Sequence, residues 1–395
     1  MDEYIVLTVS GLDQPGTTAG VTRILDDFPL VITQLQQIVL QGQLVLGLTL
    51  KKLASIDNDL IQKRVEAFVK PHGMKVRVGS SSSRTAIAEF QLLVTVLGNP
   101  LTPGSVAAIT GVIASHGANI DRIRQIAEFP VTAIEFEISG ASQKDLRSAL
   151  AVVARANSID VAVQQATLDR RGVHLVVLDV DSTLIKQEVI DILAKFAGVE
   201  DEVSQITQRA MNGELDFEES LNQRVSLLAG LPVSVLSTVR SEIELTPGAA
   251  TLCRTLNRLG FHIALVSGGF AEVVTPLAAE LGIVHVRANR LEVVDGLLTG
   301  RLSGEIVDRK VKAEALKNFA SDLGIPLSRT IAVGDGANDL DMLNAAALGV
   351  AFNAKPFVRD RADSSLSSPY LDTILYLMGI NRFEIEQADS EGSAR

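Results

Sequence analysis

Val173-His174-Leu175-Val176-Val177-Leu178-Asp179-Val180-Asp181-Ser182-Thr183 is the stretch that decides how the second half of this chain folds. The apolar run Val173–Leu178 predicts a strand buried on both faces, as in a parallel sheet. Two carboxylates one residue apart then arrive at its lip. Ligands of open α/β sheets sit at strand ends, and two acids at this spacing can divide nucleophilic and acid–base work between them.

The same pattern continues downstream. Strands at His262–Val266, Thr330–Val333 and Leu348–Ala351 alternate with helices, which implies a parallel sheet covered on both faces. The segment between Asp179 and His262 is too long for a crossover and reads as helices Glu188–Ala197, Asp201–Met211, Asp216–Leu228 and Val233–Glu242. Such an insertion can act as a lid. The later strand ends carry polar punctuation. Ser267-Gly268-Gly269 offers a hydroxyl and main-chain amides to an oxyanion, and Gly334-Asp335-Gly336-Ala337-Asn338-Asp339 is rich in oxygen ligands. Lys310 and Lys312 open a helix between them.

Residues 1–170 contain a repeat. Strand Tyr4–Val9, the turn Asp13-Gln14-Pro15-Gly16, a helix to Phe28, strands Val31–Leu40 and Leu44–Leu50, helix Asp57–Val69 and strand Lys75–Val78 give the order βαββαβ. A second copy runs through strand Phe90–Leu97, the turn Thr102-Pro103-Gly104, a helix to Ser115, strands Asn119–Ile126 and Val131–Ile138, helix Ser142–Ala156 and strand Asp160–Val163. Ser80-Ser81-Ser82-Ser83 reads as a linker between them. Helices in this order cover one face of a four-stranded sheet, so the other face or an edge wants a partner.

Of the 395 residues, 47% are hydrophobic and 21% charged, an ordinary globular balance. The net charge of −11 repels phosphate backbones and anionic membranes, so no nucleic acid and no membrane partner is expected. A single cysteine, Cys253, excludes disulfide frameworks and cysteine metal clusters within one chain. The acidic N-terminus is unlike a signal peptide and no apolar run approaches a membrane span; a soluble, cytoplasmic protein is expected.

The four strand-end motifs together resemble the haloacid dehalogenase superfamily, with Asp179-Val180-Asp181-Ser182-Thr183, Ser267, Lys312 and Gly334–Asp339 as its motifs. The paired N-terminal copies resemble tandem ACT domains. The resulting fold class is α/β: a Rossmann-like haloacid dehalogenase core with a helical cap, preceded by two ferredoxin-like βαββαβ (ACT) domains. Expected boundaries are 1–80, 86–168 and 172–386, with the cap at about 184–246 and a polar, flexible tail at 387–395.

What the superfamily resemblance implies is a phosphoryl-transfer site. Asp179 attacks phosphorus, Asp181 protonates the leaving alkoxide, and Mg2+ is held by Asp179, the Asp181 main-chain carbonyl and Asp335. Ser267, Gly268, Gly269 and Lys312 bind the phosphoryl group. Lys312 is preferred to Lys310 because Lys312-Ala313-Glu314-Ala315-Leu316 matches the lysine-plus-helix pattern. Asn338 donates to phosphate or fills the metal's outer shell, and Asp339 orients Lys312 or a metal water. An acid at 181 favours hydrolysis over ion-pumping ATPase chemistry.

The cap resembles that of the phosphoserine phosphatase branch through Thr183-Leu184-Ile185, Glu188, Met211–Phe217 and Asn222–Leu228. That implies phosphoserine as substrate, Glu188 on its ammonium and Arg224 on its carboxylate, with Met211 and Phe217 closing the pocket or serving as lid core. The ACT resemblance implies an amino acid effector such as serine, held at Asp13 and Gly16 between the subunits of a homodimer. The first copy is favoured because the second has Leu101-Thr102 where the first has Asp13-Gln14. Rivals are a phosphatase or phosphotransferase of another amino alcohol phosphate, such as phosphohomoserine, and an amino-acid sensor with a vestigial phosphatase domain.

Overall fold

The computed structural model describes residues 3–81, 91–211 and 214–393. The chain forms two compact units, Met1–Glu89 and Phe90–Arg395.

In the first unit, strands β1 (Tyr4–Leu12), β2 (Leu30–Leu40), β3 (Gln43–Lys52) and β4 (Lys75–Ser81) form an antiparallel sheet in the order β2-β3-β1-β4. Burial alternates along β1 and β3 because helices Thr17–Asp26 and Asn58–Val69 cover only one face. Ile5, Leu7, Val9, Leu46, Leu48, Val21 and Val65 make that core. Ser80 and Ser81 belong to β4 rather than to a linker, and Ser82, Ser83 and Phe90 lie outside the described residues.

The second unit repeats the module and fuses it to a larger one. Strands β5 (Leu92–Gly98), β6 (Asn119–Ala127), β7 (Thr132–Ser139) and β8 (Asp160–Gln165) take the matching order β6-β7-β5-β8. Here, however, every residue of β5 is buried. Leu92, Val94 and Val96 face the module's own helices, whereas Leu97, Ala127, Val131, Ala133 and Ala162 join one core with Leu371, Ile374, Leu375 and Leu377 of the catalytic part. Polar contacts seal the seam: the Ser364 hydroxyl donates to the Val161 carbonyl, Asp160 accepts from the Ser367 N–H, and Arg147 and Arg155 pair with Asp363 and Asp360.

The larger sheet contains β9 (Leu175–Leu178), β10 (His262–Phe270), β11 (His285–Val294), β12 (Leu297–Ser303), β13 (Thr330–Gly334), β14 (Leu348–Phe352) and β15 (Ser364–Leu366) in the order β12-β11-β10-β9-β13-β14-β15. All pairs are parallel except the β11–β12 hairpin. The fully buried β9 lies centrally, between β10 and β13, as its unbroken apolar run predicts. The cap helices are Val189–Ala197, Glu200–Met211, Phe217–Ser226 and Val235–Glu242. Beyond them, main-chain bonds between Gly230 and Leu298, Leu298 and Leu231, and Val233 and Gly296 fasten the cap's rear to the β12 edge.

The polar end of the chain corrects one expectation. Arg382–Ser393 is a helix, and Asp389 pairs with Arg254 and Arg258, so residues 387–393 are not a structureless tail. Cys253 is buried in helix Ala249–Arg258, where desolvation pushes its thiol up to about 12, which removes it from nucleophilic roles.

Candidate active site

The centre is built on the end of β9. Leu178 pairs with Leu265 on one side and Val333 on the other, and the Asp179 N–H still donates to the Val333 carbonyl at 2.9 Å. Beyond it the chain leaves the sheet in a tight turn, with Ser182 in the left-handed region at φ 55° and the Ile185 N–H returning to the Val180 carbonyl. A non-glycine residue held there stores strain of about 1–3 kcal/mol, which functional loops tolerate when their surroundings fix them.

Asp179 is 4% exposed. Its Oδ1 accepts the Val180 N–H at 2.8 Å and faces Lys312 Nζ at 2.8 Å. Lys312 has no solvent exposure and also reaches Asp339 Oδ1 at 2.7 Å. It comes from the first turn of helix Arg309–Asp322, whose N-cap Asp308 accepts the Val311 N–H. Burial opposes the ammonium, but the charges of Asp179 and Asp339 outweigh it and hold Lys312 protonated. Burial, with repulsion from Asp339 and Asp335, pushes Asp179 well above the usual carboxylate range, against the pull of Lys312.

Asp335 follows β13, and its Oδ1 accepts from the Thr183 hydroxyl at 3.2 Å. Burial first, then the charges of Asp339 and Glu188, push Asp335 up to about 7. Carboxylate oxygens of Asp179, Asp335 and Asp339 lie within 4.8 Å of one another. Asp339, however, spends Oδ1 on Lys312 and Oδ2 on the Gly336 N–H at 2.9 Å. The donors left for a cation are the carboxylates of Asp179 and Asp335, hard oxygens of the kind divalent magnesium or calcium prefers.

Asp181 turns its carboxylate elsewhere. Oδ1 accepts the N–H of Val189, the first residue of the first cap helix, at 3.0 Å, and Oδ2 lies 3.5 Å from the Ser267 hydroxyl. Burial, then the Glu188 charge, pushes Asp181 up to about 7, leaving a buried acid that can hold or release a proton near neutrality. The Gly269 N–H donates to Ser267 Oγ at 2.8 Å. A methyl group on Gly269 would lie 2.6 Å from Asp181 Oδ2, so only glycine fits beside the acid.

The cap closes over this loop. The Asp216–Glu219 capping box starts helix Phe217–Ser226, and Phe217 reaches to within 3.3 Å of where a Gly268 Cβ would stand. Arg224, half-buried on the same helix, donates Nε–H to the Ser220 carbonyl and lies in the field of Glu188, Asp191 and Asp181. Glu188 accepts from the Ser182 hydroxyl at 2.7 Å. Asn338 is half-buried and folds over Gly336. Met211 ends its helix, and its side chain lies outside the described residues.

Asp13 and Gly16 belong to the other unit. Asp13 is exposed, and Gly16 precedes helix Thr17–Asp26 at φ 90°, a conformation that favours glycine. The two Pro-Gly turns are not equivalent. In the second copy Pro103 and Gly104 are already helical, and Thr102 caps the helix by accepting the Ser105 N–H.

Asn289, on the hairpin strand β11, was not singled out from sequence. It is buried, donates Nδ2–H to the Gly268 carbonyl at 2.8 Å and accepts the Val307 N–H at 2.7 Å. It thereby ties the Ser267–Gly269 loop to the entry of the Lys312 helix. The available signal was one amide in the mixed stretch Val286-Arg287-Ala288-Asn289-Arg290-Leu291, where apolar residues alternate with polar ones up to Asn289.

The packed carboxylates carry a testable cost. Asp335 sits near 7 when folded against an ordinary 3.8, so metal-free stability is lost as pH rises from about 4 to above 7, where the folded state would otherwise keep the proton. Asp335→Asn is expected to raise metal-free stability at pH 8 by about 2 kcal/mol, roughly 4–8 °C in Tm. The gain should vanish at pH 4. A gain unchanged between those pH values would show that repulsion at Asp335 is not its source.

Comparison with known proteins agrees with this geometry. A haloacid dehalogenase-like hydrolase family pattern matches residues 176–344, and ACT domain patterns match residues 3–79 and 92–164. The chain is 50% identical over 388 residues to a phosphoserine phosphatase of Streptomyces coelicolor, covering 98% of this chain and 94% of that protein. It is 46% identical over 390 residues to phosphoserine phosphatase SerB2 of Mycobacterium tuberculosis, covering 98% and 95%. A solved phospho-aspartyl intermediate analogue of phosphoserine phosphatase superposes with TM-score 0.50 at 43% identity, over 52% of this chain and 98% of that one. Hydrolases of this kind are metal-dependent, consistent with the Asp179–Asp335 cluster. By sequence, fold and site, the chain belongs to the phosphoserine phosphatase family of haloacid dehalogenase-like hydrolases, carrying two ACT domains ahead of the catalytic core.

Proposed function

We propose that the protein hydrolyses O-phospho-L-serine to L-serine and phosphate through an aspartyl phosphate on Asp179, using Mg2+ and completing a route of serine biosynthesis. The observation that carries this is the adjacency of Asp179, Asp335 and the buried Lys312, with the neutral-range acid Asp181 beside them. Asp179, Asp335 and the Asp181 main-chain carbonyl would hold the ion. When bound, it supplies positive charge that lets an anionic nucleophile approach an anionic ester.

The side chains account for the rest. An Asp179 oxygen forms the bond to phosphorus while the P–O bond to serine breaks, and the departing alkoxide takes its proton from Asp181. Asp181, now a carboxylate, removes a proton from water as that water attacks phosphorus and displaces Asp179. Lys312, the Ser267 hydroxyl and the amides of Gly268 and Gly269 hold the phosphoryl oxygens. Arg224 and Glu188 complement the substrate's carboxylate and ammonium, and Phe217 excludes water above Gly268. Asn338 completes the phosphate's surroundings.

Phosphate release from a panel of esters tests the assignment. Phosphoserine is expected to be the best substrate and to need Mg2+, and Arg224→Ala should raise KM for it by roughly tenfold to a hundredfold. Phosphoethanolamine, which lacks the carboxylate, should be a poor substrate and be insensitive to the change. Equal losses for both would remove Arg224 from carboxylate recognition. Preference for phosphohomoserine would support the rival substrate, and no release from any ester would support a vestigial domain.

The N-terminal region is proposed to respond to serine or a similar amino acid at the Asp13–Gly16 turn. Leu35, Ile38, Val39 and Leu40 are exposed on the edge strand β2, which supports association into a homodimer. Among the described residues no helix is long and apolar enough to cross a membrane.

A further inference from the structure

A cavity of about 210 Å³ lies in the seam between the second ACT module and the catalytic sheet. One wall comes from the module and the connecting segment, including Gln143, Gln164, Thr167 and Arg170. The other is the blunt edge of the sheet: His174 precedes β9, Thr330 opens β13 and Leu348 opens β14. Asp179 and Asp335 follow the opposite ends of β9 and β13, so the cavity and the catalytic centre share two strands from either end.

The lining offers both acceptors and donors. Gln143 donates its amide to the Val163 carbonyl at 3.1 Å and Gln164 donates to the Leu377 carbonyl at 2.7 Å, which leaves each Oε1 as an acceptor. His174 Nδ1 lies 2.7 Å from the Gly172 carbonyl, which can only accept, so Nδ1 carries the hydrogen. Burial holds the ring below the usual histidine range, so Nε2 presents a lone pair. These three acceptors, two on the module wall and one on the sheet wall, suit an ammonium group. On the module wall Arg170 directs Nη2 to Glu135 and to the Leu377 carbonyl, while its buried Nε–H has no partner among the described residues, and Thr167 adds a hydroxyl. Buried donors without partners are uncommon and point to a missing ligand or water.

We propose that this seam cavity is a binding site for a small zwitterionic amino acid, with its ammonium on the Gln143, Gln164 and His174 acceptors and its carboxylate toward Arg170 and Thr167. It rests on the reading of the N-terminal half as amino-acid responsive and moves a site of response from the Pro-Gly turn to the joint with the catalytic part. Occupancy would tie the connecting segment to the feet of β9 and β13. An effect on turnover requires the ligand to bind two positions of the cap with different affinity.

Thermal unfolding of the full-length chain tests the site, with glycine, methylamine and acetate as probes. Glycine at a hundredfold excess over its Kd is expected to raise Tm by roughly 5 °C. Methylamine and acetate, each with half the zwitterion, should do much less. Ala347 lines the cavity with an exposed side chain, so Ala347→Phe should abolish the glycine shift while leaving kcat and KM for phosphoserine unchanged. If that variant does not fold, Gln143→Leu serves, because it removes one acceptor from the rim. A glycine shift identical in wild type and in these variants overturns the seam site. A shift lost in Asp13→Ala instead would overturn it while sparing amino-acid responsiveness, and no shift with any probe would sink both.

Discussion

Asp179→Asn should lower phosphate release from phosphoserine by roughly 10⁴-fold or more, the scale on which removal of a covalent nucleophile acts. The amide is nearly isosteric and can still accept the Val180 N–H, so the local turn should survive. Lys312 keeps its bond to Asp339. Removing a buried charge that faces Asp339 and Asp335 should leave metal-free Tm unchanged or higher. Acid-quenched enzyme fed labelled phosphoserine should show protein-bound phosphate in the wild type and none in the variant. A variant that retains more than a few per cent of activity, or that still acquires label, would remove Asp179 from the nucleophile's role.

Lys312→Met should damage both chemistry and fold. The ammonium is fully buried between two carboxylates, and methionine matches its length while deleting its charge. Breaking a buried ion pair by taking away one partner costs about 3–5 kcal/mol, because the remaining charge has no counter-ion. If Lys312 donates to the transferring phosphoryl group as proposed, its loss should also reduce kcat by about 10²–10³-fold. The stability defect should shrink as pH falls, since Asp179 and Asp335 then take up protons. A Tm equal to wild type at pH 8, with kcat intact, would contradict both consequences.

Much of this arrangement was legible in the sequence because its residues stand at strand ends. Asp179, Ser267 and Asp335 are each announced by an apolar run followed by small or acidic residues, and burial forces such runs into the sheet. Asp339 was also readable as a partner of Lys312, since both are motif residues. Asn289 was not, because it acts through the Gly268 carbonyl and the Val307 N–H, and sequence does not reveal which main-chain groups lie opposite a side chain. The β11–β12 hairpin was missed for a related reason. Its alternation is irregular, with register shifts at Leu291/Val293, and its outer strand pairs with cap residues rather than a regular neighbour. The helical end at Arg382–Ser393 was hidden by polarity, since Asp389 gains its order from Arg254 and Arg258, more than a hundred residues upstream.

The two N-terminal copies look alike as patterns, and the difference between them lies in how many faces of a strand find cover. Leu92-Leu93-Val94-Thr95-Val96-Leu97 is buried throughout, whereas Tyr4-Ile5-Val6-Leu7-Thr8-Val9 has Val6 in solvent. Continuous apolarity in β5 was the available clue.

That difference dictates where the gene can be cut. A fragment beginning near Gly172 would expose Leu371, Ile374, Leu375 and Leu377 along a strip that Ala127, Val131 and Ala133 now protect, inviting aggregation during expression. A start just ahead of Leu92 keeps that strip covered, so that truncation is expected to stay dispersed and active without repainting its surface.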